Sequence, residues 1–117
     1  MALKRCLVEY GSGVDLHGND PTKAARRAVF DALRHSSPGF PWVFGYEPSQ
    51  LHVEVLVAVP HHEDVRPGEV LTELPYGRKT IKVVEGGLEI PGDPYPEEST
   101  LMAGAAVIVS LDIPDKG

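Results

Sequence analysis

Two residues in the first fifth of the chain have the types and the spacing to share a proton. Asp15 and His17 stand two apart within Gly11-Ser12-Gly13-Val14-Asp15-Leu16-His17-Gly18, and alternate residues of an extended segment point to the same side. A carboxylate beside an imidazole selects its tautomer and raises its basicity, which suits general acid–base catalysis. The same two groups could instead hydrogen-bond the turn and hold its shape, as Asx-type contacts do, and the spacing is compatible with both roles. Asp15 and His17 are the candidate catalytic pair.

The surrounding residues are candidates for binding. Backbone N–H groups of Gly11, Ser12, Gly13 and Gly18, next to a helix start at Asp20, could hold an anion with help from the helix dipole. The pattern is not the dinucleotide fingerprint, because Leu16 occupies the position of its third glycine, and no Gly-Lys-Ser/Thr closes a phosphate loop. Asp15 and Asp20 would repel a dense phosphate, so the segment reads as a shaped turn that presents Asp15 and His17. Lys23 and Arg27, one helical turn apart, could bind an anionic substrate group. Tyr76, between Pro75 and Gly77, is a candidate for the pocket rim.

Other reactive residues carry weaker signals. His61-His62-Glu63-Asp64 has metal-ligand types without an HxH or HxxxH spacing, and reads as a polar loop before the second helix. No metal and no cofactor is expected. Cys6 is the sole cysteine and alternates into an apolar set, so it reads as a small buried hydrophobe. It has no disulfide partner in its own chain, in keeping with a reducing cytosol.

These residues must be positioned by a small number of elements. Leu3 to Tyr10 alternates as a strand, followed by the glycine-rich turn. Asp20 can cap a helix whose first position suits Pro21. Ala24, Ala28 and Ala32, with Ala25, Val29 and Leu33, make a narrow apolar stripe that permits close packing on a sheet. Residues 38–50 hold three prolines and the aromatics Phe40, Trp42, Phe44 and Tyr46, a flap over the core or a subunit contact. His52 to Val59 is a strand with Val53, Val55, Val57 and Val59 on one face. A short helix around Pro67–Leu74 and a strand over Lys79–Glu85 follow. Ile90 to Glu98 reads as a long exposed connection. Met102 to Ile113 is almost continuously apolar, the pattern of a strand buried on both faces and flanked on both sides.

Helical crossovers make the first three strands parallel, and the apolar last strand belongs in the middle. The expected fold is α+β (α/β): a four-stranded mixed sheet, β-α-β-α-β-β, of order 1-4-2-3, with helices on one face. The other face would stay bare and apolar, which marks an interface. The layout resembles the trimeric fold of the bacterial monofunctional chorismate mutases and the YjgF-type deaminases, so a homotrimer is expected.

Size and charge narrow the field. At 117 residues with a net charge of −6, the chain is one domain, residues 1–117, with enough length for one core. Residues 1–40 carry six Lys+Arg and four Asp+Glu, a balance of +2; residues 41–117 carry five against thirteen, a balance of −8. The basic cluster Lys23, Arg26, Arg27 and Arg34 is too small for general nucleic-acid binding. The longest apolar run, Leu101 to Leu111, is shorter than the ~20 residues that a membrane helix needs, and the expected location is the cytoplasm.

The stretch GSGVDLHGNDPTKAARRAVFDAL resembles the signature of the "Lin" family of conserved hypothetical proteins, GxGxDxHG followed by a D-x-T-K-A-A-x-R-A-V helix. VEVLVAVP (53–60), LPYG (74–77) and VVEGG (83–87) are also similar to that family. The resemblance implies a small stand-alone α/β protein with a site around Asp15, His17, Asp20 and Lys23, and no assigned activity. A second likeness, to single domains of the cyanuric acid amidohydrolases and barbiturases, rests on the glycine-rich turn and the strand ending in proline. There Ser12 and Lys23 would have to approximate a Ser–Lys nucleophile pair. The expected function is a homotrimer that binds a small polar or anionic molecule in inter-subunit pockets, with turnover left open. The alternatives are a cyclic-amide hydrolase-like enzyme and a non-catalytic protein-interaction module.

Overall fold

A computed structural model of the chain describes residues 2–35, 47–74 and 77–113. Five strands and two helices follow one another: β1 (Ala2–Asp15), α1 (Pro21–Arg34), β2 (His52–Val59), α2 (Pro67–Leu71), β3 (Arg78–Glu85), β4 (Leu88–Ile90) and β5 (Thr100–Ile113). The sheet runs β1-β5-β2-β3, with β4 also paired to β5. β5 is antiparallel to both β1 and β2, and β2 is parallel to β3, so the expected order and the central place of the last strand are both observed. The expected four strands become five. β4 pairs Leu88 with Met102 and Ile90 with Thr100, where the sequence reads as a turn and connection. Its three residues are too few for a period-2 pattern to register.

The helices cover one face. On β5 the odd-numbered residues from Leu101 to Leu111 are buried, whereas Met102, Gly104, Ala106 and Ile108 on the other side are only half-buried. The last strand is thus flanked on both sides but covered by helices on one face only. Ala24, Ala25, Ala28, Val29 and Ala32 of α1 meet the buried residues of β2 and β5 in a single core, with Leu33 packed at its margin. Asp20 caps α1 as its type predicts, accepting hydrogen bonds from the backbone N–H of Thr22 and Lys23, with Pro21 in the first helical position.

The main departure lies in β1. The strand does not end at Tyr10 but pairs with β5 as far as Asp15, opposite Leu101. Gly11 and Gly13 therefore belong to the ladder, not to a turn. A Cβ at Gly11 would overlap the backbone of Ala28 and Ala32, and one at Gly13 that of Ala24 and Ala28. The two glycines and the alanine stripe are halves of one device, which brings the axis of α1 down onto the sheet. Cys6 also departs from expectation. It is exposed, at a bulge between Arg5 and Leu7, and the Val8 and Tyr10 side chains with which it alternates lie on the helix-free face and are exposed as well.

Candidate functional site

Asp15 ends β1 facing the helix side of the sheet, and it is 4% exposed. Its Oδ2 accepts the backbone N–H of Asp20 at 2.9 Å, and its Oδ1 lies 3.7 Å from Nη1 of Arg27. The carboxylate thus ties the strand end, the connecting turn and the first turns of α1 together. Gly18 fits closely above it, because a Cβ there would stand 2.9 Å from Asp15 Oδ2. His17 is exposed, and neither its ring nor any other group of its side chain bonds Asp15 among the described residues. The two candidate catalytic groups are placed on opposite sides of the turn's backbone logic: one turned in to hold it, one turned out to solvent.

One N–H of the expected anion cradle is taken up by the protein itself. The Ser12 N–H donates to Asp31 Oδ2 at 3.0 Å, and Arg27 Nη1 donates to the Val14 carbonyl oxygen. Both contacts cover the outer edge of β1, where unpaired backbone groups would otherwise invite strand addition. The Ser12 side chain points to the face without helices and Lys23 stands on α1, so the sheet separates the two members of the supposed nucleophile pair. Tyr76 and the aromatic segment Phe40–Tyr46 lie outside the described residues.

The arrangement does create a cleft. Lys23, Arg26, Arg27, Phe30 and Glu73 line a surface hollow of about 270 Å³ between α1 and the end of α2. Arg26 Nε donates to Glu73 Oε1 at 2.9 Å, and Arg27 is engaged by Asp15 and Val14 as described. Among the described residues Lys23 makes no ion pair, so the cleft holds three cations, one of them an ammonium without a salt bridge, and one lining carboxylate. The role of Phe30 and Glu73 is not evident from the spacing of the chemical groups. Phe30 does leave one trace in the sequence, an apolar residue off the buried stripe of an amphipathic helix.

A second polar cluster joins residues far apart in sequence. His61 Nε2 lies 2.8 Å from Glu89 Oε1, and His62 Nδ1 lies 2.8 Å from Glu85 Oε1. Glu85 also accepts the backbone N–H groups of His61 and His62, and these contacts hold its carboxyl below the usual carboxylate range, the His62 side chain most of all. Among the described residues no three His, Cys, Asp or Glu side chains converge closely enough to hold a metal ion. The pairs fasten the turn after β2 to the β3–β4 reversal.

No curated protein matches the chain. A solved structure from Nostoc punctiforme, described as an FtsZ-like protein of unknown function, is 43% identical, with a TM-score of 0.86 over 97% of this chain and 99% of that one. The family model "Conserved hypothetical protein (Lin0512_fam)" matches residues 5–109. The glycine, aspartate and alanine positions that build the β1–α1 unit fall within that span, and the chain belongs to the Lin0512 family of conserved hypothetical proteins.

Proposed function

We propose that the protein binds a small anionic molecule in the α1 cleft, as a homo-oligomer whose copies meet on the bare face of the sheet. The observation that carries the binding reading is Lys23, an ammonium without an ion pair among the described residues, beside two guanidinium groups already held in place by Glu73 and Asp15. Preorganised cations lose little freedom on capturing a carboxylate or phosphate. Phe30 supplies an apolar wall for the rest of the ligand. In this reading Asp15 positions Arg27, and His17, exposed on the adjoining turn, is the group able to exchange a proton with a bound molecule. A trimer is the assembly that the resemblance to the trimeric chorismate mutase and YjgF-type folds implies. Association is supported by Leu3, Val8, Tyr10 and Leu56, all exposed on the face without helices.

Calorimetric titration with inorganic phosphate and with malonate tests the cleft. Lys23→Ala should weaken binding at least about tenfold, the loss of one charge-assisted contact. Lys82→Ala, on β3 and facing the other side of the sheet, should leave it unchanged. Equal losses in the two variants would reduce the effect to general electrostatic attraction and overturn the assignment.

A further inference from the structure

Phe30 is the one lining residue of the α1 cleft that carries no charge. The buried stripe of α1 is made of Ala24, Ala25, Ala28, Val29 and Ala32, and Phe30 lies off it, 54% exposed. It follows Arg27 by three residues, Arg26 by four and Lys23 by seven, so the four share the outward side of the helix. Long side chains on a helix lean back over the preceding turn. That lean carries the Phe30 ring toward the level of Arg26 and Arg27 and makes it a wall of the hollow. It also brings Arg34, four residues on, over the ring, with the guanidinium carbon 5.9 Å from the ring centre, within reach of a cation–π contact. Arg34 stands outside the hollow that Phe30 lines. It therefore steadies the ring from behind and leaves ring surface open to the cleft.

We propose that the cleft takes a single-ring aromatic anion, its ring packed on Phe30 and its carboxylate or phosphate against Lys23 and Arg27. The assignment rests on the anion-binding reading above and adds the chemical class of the ligand. Spacing sets the distance between the two ends. Three residues of α-helix rise about 4.5 Å and seven about 10.5 Å, so Phe30 stands one to two turns from these cations. That is the reach of a ring bearing its charged group directly or through a short link. Volume limits the rest. The hollow of about 270 Å³ is smaller than the ~300–1,000 Å³ of pockets that enclose drug-sized ligands, room for one ring and not for a dinucleotide. Charge limits it too. Glu73 offsets Arg26 and Asp15 offsets Arg27. Lys23 is left as the net positive charge, a match for one anionic group and not for a polyphosphate chain. An aromatic ring is favoured over an aliphatic one because Phe30, steadied by Arg34, presents a fixed π-surface, and ring pairs gain beyond the area that they bury.

Calorimetric titration of the full chain with matched pairs tests the class: phenyl phosphate against methyl phosphate, and benzoate against acetate. In at least one pair the aromatic member should bind at least about fivefold more tightly. Phe30→Leu keeps an apolar side chain at an exposed position, so the circular dichroism spectrum should be unchanged. That variant should abolish the preference and leave binding of the smaller member intact. Arg34→Ala should reduce the same ratio. A ratio cancels the general loss of one positive charge, so its fall reports the placement of the ring by Arg34. The cyclohexyl analogue, of similar size without the π-system, should bind about threefold more weakly than the phenyl compound. Equal affinities for those two would overturn the aromatic class, and so would a preference that survives Phe30→Leu. Binding of inorganic phosphate with no aromatic preference in either pair would overturn it while leaving anion binding in the cleft standing. No binding of any of these anions would overturn both readings.

Discussion

Asp15 accepts the Asp20 N–H from within the protein and steadies Arg27 from below, so its removal orphans a part-buried donor and frees a cation. Asp15→Ala should cost about 2 kcal/mol of stability, read as a lower midpoint in urea. His17→Ala should stay within about 0.5 kcal/mol, the usual effect of a surface change. A large loss at His17 with none at Asp15 would reverse the roles given to them. Glu85 belongs to the same scale. Its carboxyl is held below the usual range by His62, so its folded value lies under its unfolded one. The stabilisation it supplies is fully present above the ordinary glutamate value of ~4.3 and is lost as pH falls through the lower, folded value. Thermal melts of the parent and Glu85→Gln should therefore differ near neutrality and converge in acid. A gap that widens on acidification would contradict the pairing.

Between elements, the contact that decides the fold is backbone on backbone. α1 sits on β1 because Gly11 and Gly13 offer no Cβ and Ala24, Ala28 and Ala32 offer little more. Gly13→Ala would drive a methyl group into the main chain of α1, which cannot yield without moving the whole helix. A loss of more than about 3 kcal/mol is expected, at the severe end for overpacking, seen as insoluble or unfolded protein. Gly104→Ala is the control. Its Cβ would meet the hydroxyl of Tyr10 at 2.6 Å, the far end of an exposed side chain that can swing away, so the midpoint should fall by less than about 1 kcal/mol. Equal damage from both would mean that helix-to-strand closeness is not what the glycines provide.

For the whole molecule, one sheet face is covered by the helices and the other carries exposed apolar side chains. A protein that associates through that face gains stability by mass action. The thermal midpoint should rise with protein concentration for the parent chain and stay flat for Tyr10→Asp. A flat parent curve, with no dissociation on dilution, would count against association as a source of stability.

Local pattern determined a good deal of this protein. The strand order, the central last strand, the Asp20 cap and the alanine stripe all follow from periodicity, caps and the rule that the most apolar strand lies inside, because each depends on residues close in sequence or on burial alone. The meaning of the glycine motif does not follow in that way. Gly-x-Gly before a helix has the same letters whether its N–H groups await an anion or the missing Cβ atoms admit a helix. The difference is made by α1 folding back over β1. Cys6 is exposed because the set it alternates with, Val8 and Tyr10, faces the side of the sheet that no helix covers. The His61–Glu89 and His62–Glu85 pairs and the Lys23 cleft with Phe30 and Glu73 join groups from separate elements. Only the tertiary structure decides them, since side-chain proximity across a sheet is a property of how elements pack and not of any one element.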